Sequence, residues 1–143
     1  MTAKEYLSKV IKLKKKAESL ARKEEELRAK AEGMKAIVYD KDKVQVSAAD
    51  RMPDAVAALV ETQIRLATTI ADCYEYIARC EDLISQIHSV KQAEVLRWRY
   101  IEDNNGRQYY FSEIAELMDI QDTSTVIKLH KRAIKSFQKK MTL

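Results

Sequence analysis

FSEIAELMDIQDTSTVIKLHKRAIKSFQKKM, residues 111–141, is the stretch that decides the fold. Its first eight residues put Phe111, Ile114, Ala115 and Met118 on one face of a short helix, Phe111–Met118. Asp119-Ile120-Gln121-Asp122 then forms a tight polar connection. From Thr123 to Met141 the helical period returns, with Val126, Leu129, Ala133 and Phe137 at core spacing. Asp122 is a good N-cap for this last helix, because its carboxylate accepts from backbone donors that the first turn leaves free. Ala115 lets the two helices cross closely, where a larger side chain would push them apart. A short helix, a small residue, a tight turn and a longer helix make the helix-turn-helix arrangement.

Charge singles out the same last helix. Residues 123–143 hold six basic residues and no acidic one, whereas residues 55–90 hold two basic and five acidic. Packing gives no reason for an acid-free basic run, so a plain three-helix bundle or protein-interaction module is the weaker reading of residues 91–143. The expected ligand is double-stranded DNA. Thr123, Ser124, Thr125 and Lys128 are the base-reading candidates, being short or flexible hydrogen-bonders at the start of the helix. Ile127, Lys131, Arg132, Lys135 and Lys139 are the phosphate-side candidates, the cations among them supplying charge neutralisation. His130 is expected at the surface or facing a phosphate. Trp98 and Tyr109-Tyr110-Phe111 are expected in the core of the module rather than as base-stacking platforms.

Upstream, Lys91–Glu102 reads as a further helix with Val95, Leu96, Trp98 and Tyr100 or Ile101 inward, and Asp103-Asn104-Asn105-Gly106 as a turn. Residues 89–143 thus make one DNA-binding domain. Residues 1–88 read as a long helical hairpin. Tyr6, Val10, Leu13, Ala17, Leu20, Glu24, Leu27, Ala31 and Met34 alternate spacings of four and three, the coiled-coil pattern, with Glu24 the one break. The first helix is expected over about 2–33, with Gly33 at its end, followed by a linker at 34–52. The second runs over about 53–88 on a seam of Val56, Val60, Gln63, Ala67, Ile70, Tyr74, Ile77, Glu81 and Ile84, widened by Leu59, Leu66 and Leu83. An isolated hairpin buries too little apolar surface to be stable, so a homo-oligomer, most simply a dimer, is expected. The run Lys12-Leu13-Lys14-Lys15-Lys16 reads as a solvated face, with a direct DNA or membrane contact as the alternative.

The composition agrees with an all-α chain: two glycines and one proline among 143 residues, with 46% hydrophobic and 34% charged. No apolar run is long enough to span a bilayer and the N-terminus lacks a signal core, so the expectation is a cytoplasmic protein with no membrane partner. Cys73 and Cys80 fall one heptad apart, which on a helix separates their Cα atoms by about 10 Å and excludes a disulfide. With His88 they match no tetrahedral metal pattern, and they are expected to be ordinary buried thiols. There is no glycine-rich phosphate loop, no metal-spaced set and no nucleophile beside a base. The chain is therefore expected not to be an enzyme and to need no cofactor.

VLRWRY at 95–100, EIAELMDI at 113–120 and VIKLHKRAIKSF at 126–137 resemble region 4 of bacterial sigma factors, respectively its first helix, its scaffold helix with turn, and its recognition helix. The whole layout, a charged helical N-terminal part before such a module, is similar to small phage-encoded transcriptional regulators of the ArpU-like, autolysin-regulator type. The resemblance implies a sequence-specific regulator of phage or prophage genes, an activator of late genes, working in a bacterial host at the nucleoid. It also implies host RNA polymerase as a second partner. Where the family carries arginine and glutamate at the start of the recognition helix, this chain has Thr123, Ser124 and Thr125, so recognition of an ordinary promoter element is not carried over. The alternatives are a DNA-binding packaging or assembly factor, and a polymerase-binding regulator that does not itself read DNA.

Overall fold

Thirty-eight residues with a single glycine form α1, Ala3–Asp40. Gly33 lies inside it; a lone helical glycine costs only about 1 kcal/mol, which a helix this long absorbs. The first helix therefore continues past the end at 33 expected from the sequence. The computed structural model describes residues 1–40 and 52–142, with side chains for 1–33 and 54–142. Positions 41–51 of the expected linker lie outside the described residues. α2 is Met52–Ser85, starting one residue before Pro53. α3, Val90–Leu96, is capped by Ser89, whose hydroxyl accepts from the Gln92 amide (3.3 Å). It continues into a π turn, Arg97–Ile101, and is followed by α4, Phe111–Leu117, and α5, Thr123–Met141. All elements among the described residues are helical, and none of these helices is long and apolar enough to cross a membrane.

The π turn has a packing consequence. Glu102 N–H reaches back five residues to the Arg97 carbonyl (2.8 Å). The widened turn lets the neighbours Tyr100 and Ile101 both be buried, together with Val95 and Leu96.

Packing divides the chain into two units, Met1–Lys15 with Cys73–Leu143, and Lys16–Asp72. These divisions fall inside α1 and α2, not at the 88/89 boundary drawn from the sequence. The reason is visible in the core of the first unit. Ala3, Leu7 and Val10 from the start of α1, and Ile77, Cys80 and Ile84 from the end of α2, join Leu96, Tyr100, Ile114, Val126, Ala133 and Phe137 in one buried cluster. Polar contacts tie the same pieces together. Tyr76 donates its hydroxyl to the Tyr6 carbonyl (2.7 Å), and the Ala3 amide donates to Gln138 Oε1 (2.8 Å). Lys14 donates its ammonium to the Ile101 carbonyl at the end of the π turn, so this lysine of the basic run has a structural job.

The seam of α2 is rotated from the one expected. Cys73, Ile77, Cys80 and Ile84 are buried, again in alternating four-three steps, while Tyr74 and Glu81 are exposed. The choice follows from charge: this register keeps the Glu81 carboxylate in water and buries two thiols instead. Both cysteines are free and buried, and burial pushes the Cys80 thiol up to about 12.

In the unit Lys16–Asp72 the same seam runs through Leu59, Gln63, Leu66 and Ile70, all only half-buried, and no described residue of α2 between 54 and 72 is fully buried. α1 and α2 share a groove of about 370 Å³ here, lined on one side by Glu24, Arg28 and Ala31 and on the other by Val60, Gln63 and Ile64.

Candidate nucleic-acid interface

The chain reverses between α4 and α5 through a residue in left-handed conformation, Asp119 (φ 56°). Ile120 N–H reaches the Ala115 carbonyl (2.8 Å) and Asp119 N–H the Glu116 carbonyl (3.2 Å), closing the last turn of α4 in a Schellman motif. Glycine is the usual residue at such a position; aspartate is among the few others that tolerate it. Ile120 packs on the core, and Ala115 is buried where α4 meets α5. Three residues later Asp122 caps α5, accepting from the Ser124 amide (3.1 Å) and from the Ser124 hydroxyl (2.8 Å). These bonds hold the Asp122 carboxyl below its ordinary range, the hydroxyl bond first and the amide bond second.

At the other end of α4, Glu113 accepts from the Tyr110 amide (2.9 Å) and pairs with both Arg107 nitrogens (2.8 and 3.0 Å). Asn104 adds a fourth donor (3.2 Å), drawing the turn at 103–106 onto the helix. Arg107 first, then the Tyr110 amide, hold the Glu113 carboxyl at about 2. Asn105 (φ 54°) and Gly106 (φ 86°) give this turn its left-handed pair, and Asp103 accepts from the Gly106 amide (2.7 Å).

α5 has two faces. Val126, His130, Ala133 and Phe137 form the buried stripe, with Leu129 beside it. Ser124, Thr125, Lys128, Lys131, Arg132, Lys135 and Lys139 are all exposed. At 100° per residue, 124, 128, 131, 132, 135 and 139 fall on the side opposite the stripe. The structure thus brings nearly all the sequence-derived candidates onto one surface.

Three expectations need correction. Thr123 is half-buried, not exposed, because it sits one turn before Ile127 at the edge of the core stripe. Ile127 has no side-chain donor, and its amide lies in the helix interior where intrahelical bonding engages it; it is an exposed apolar residue, not a phosphate contact. His130 is not at the surface. It is 8% exposed, and its Nε2 lies 2.7 Å from the Tyr100 hydroxyl. Burial first, then the charges of Arg99 and Lys4, push His130 down to about 4. The imidazole is therefore neutral at pH 7, and Tyr100, itself pushed up to about 12 by burial, keeps its hydroxyl proton. The signal for His130 was its spacing, four after Val126 and seven before Phe137.

The aromatic residues expected in the core divide. Trp98 and Tyr109 meet edge to face (centroids 5.5 Å apart) and are half-buried, as is Phe111. Tyr110 is 59% exposed, under the Arg107 guanidinium (4.4 Å). Sequence reasoning missed Arg99, which donates to the Tyr109 carbonyl and lies 4.3 Å from the Phe111 ring centre. Among the described residues no cluster of His, Cys, Asp and Glu could hold a metal ion.

Comparison with protein-family models, with curated proteins and with solved structures gave no match to this chain.

Proposed function

We propose that the chain is a sequence-specific, double-stranded-DNA-binding regulator of phage or prophage transcription, an activator of late genes. In this reading α4 and α5 act as a helix-turn-helix of the sigma-region-4-like kind. The observation that carries it is the exposed face of α5, where Lys128, Lys131, Arg132, Lys135 and Lys139 stand together with no acidic residue in the helix. A helix fits the major groove, about 12 Å wide, and presents its N-terminal side chains to the bases. Thr125 and Lys128 are the principal base readers. Ser124 assists with the hydrogen-bonding capacity its bonds to Asp122 leave over. Lys131, Arg132, Lys135 and Lys139 run along the phosphates.

The unit Lys16–Asp72 is the pairing element, an antiparallel hairpin that joins two copies. Its half-buried stripe Leu59, Leu66 and Ile70 supports this, since a second copy covers it and brings two reading helices to one DNA. Host RNA polymerase is a further partner in the same reading; exposed Leu117 on α4 offers apolar surface for it.

Selection of bound fragments from random DNA, followed by footprinting, tests both parts. The expected result is an enriched motif in two inverted copies. No enrichment would end the sequence-specific reading, and a single uninverted copy would end the dimer.

A further inference from the structure

Beside the buried stripe of α5, on the flank toward α4, the first unit carries a cleft of about 460 Å³. Four cations line it, Lys4 from α1, Arg99 from the π turn, and Lys131 and Lys135 from α5, and no carboxylate does. The rest of the wall is ring and hydrocarbon: Phe111, Tyr100, Ile127 and Ile134. Two features mark the positive charge there. Arg99 Nε is buried without a hydrogen-bond partner, a condition that calls for an explanation. His130, also in the wall, stays neutral partly because Arg99 and Lys4 repel its proton. The exposed position of Ile127, inexplicable as a phosphate contact, is explained as part of an apolar wall.

We infer that this cleft binds a small aromatic phosphate of nucleoside-monophosphate size. The volume lies within the range of small-ligand pockets, about 300–1,000 Å³, which are apolar with a few convergent polar groups. The phosphate takes charge-assisted bonds from the lining cations, and the flat base lies against the apolar part of the wall. Lys131 and Lys135 also belong to the proposed DNA face. The ligand therefore competes with DNA phosphates, a consequence that rests on the proposed function, whereas the binding itself does not.

Titration calorimetry with AMP, adenosine and inorganic phosphate, in the absence of DNA, tests the inference on the full-length protein. AMP should bind at least about ten-fold more tightly than either fragment, since each contributes a separate part of the free energy. Lys4→Glu should weaken AMP by about ten-fold. The chain has two histidines, so proton NMR can follow His130. Bound AMP offsets the field of Arg99 and Lys4, and the His130 titration should move upward. AMP binding no more tightly than phosphate, as at a bare phosphate contact, overturns the inference. So does an unchanged AMP affinity in Lys4→Glu, or a His130 titration that ignores AMP.

Discussion

At position 130 chemistry and periodicity point in opposite directions. An imidazole beside lysines suggests a surface group, but its register is that of the core stripe, and register wins because Tyr100 meets its polar atom. That partner lies thirty residues away and on another helix, which no local pattern reveals. The consequence is measurable. The unfolded chain takes up the histidine proton near pH 6.5, the folded chain only near 4. Acidification through this window therefore favours unfolding, and stability present above about 6.5 is lost toward 4, by up to about 1.4 kcal/mol per pH unit. Glu113 acts in a lower window: its carboxyl, ordinarily at 4.5, is held at about 2, so its contribution is present above 4.5 and lost between those values. Thermal melting across pH should show two successive losses, and His130→Phe should remove the upper one. It should also cost about 1–3 kcal/mol at neutral pH by leaving the Tyr100 hydroxyl unpaired. Identical profiles for both proteins between pH 6.5 and 4 would contradict a neutral, buried His130.

Among the elements, α5 was the most legible, and for local reasons: its Asp122 cap, its apolar period and its exposed lysines all lie within one continuous stretch. The reversal before it was legible through Ala115, while the left-handed Asp119 was not, because aspartate marks such positions far less than glycine does. The seam of α2 was misread by one position along much of its length. Val56–Ile84 offers two overlapping apolar stripes, and the cost of burying Glu81 decides between them. Close approach at Ala115 sets up a test of the α4–α5 pair. Ala115→Leu forces extra carbon into a filled crossing and should destabilise by roughly 1–3 kcal/mol. Circular dichroism melting reads it, and an unchanged melting temperature would show that the crossing has room.

Over the whole molecule, the largest departure from the sequence reading is that the C-terminal module is not self-contained. Leu7 and Val10 are fully buried in the same cluster as Phe137, and heptad spacing predicts a sticky stripe without naming what it sticks to. Leu7→Ala should cost roughly 2–5 kcal/mol as a core truncation. A fragment beginning at residue 89 loses Leu7, Val10, Ile77 and Ile84 together and should give no cooperative melt; a fragment melting like the full chain would show that these residues are dispensable.

The central claim is that the exposed face of α5 engages duplex DNA, and fluorescence anisotropy over about 50–200 mM salt reads it most directly. With a selected duplex, Lys135→Ala should lower the salt slope by about one unit and weaken all sequences alike. Lys128→Ala should lose roughly 1–3 kcal/mol at the best site and relax preference there. If both variants bind every duplex as the unaltered protein does at each salt concentration, α5 is not the element that holds DNA.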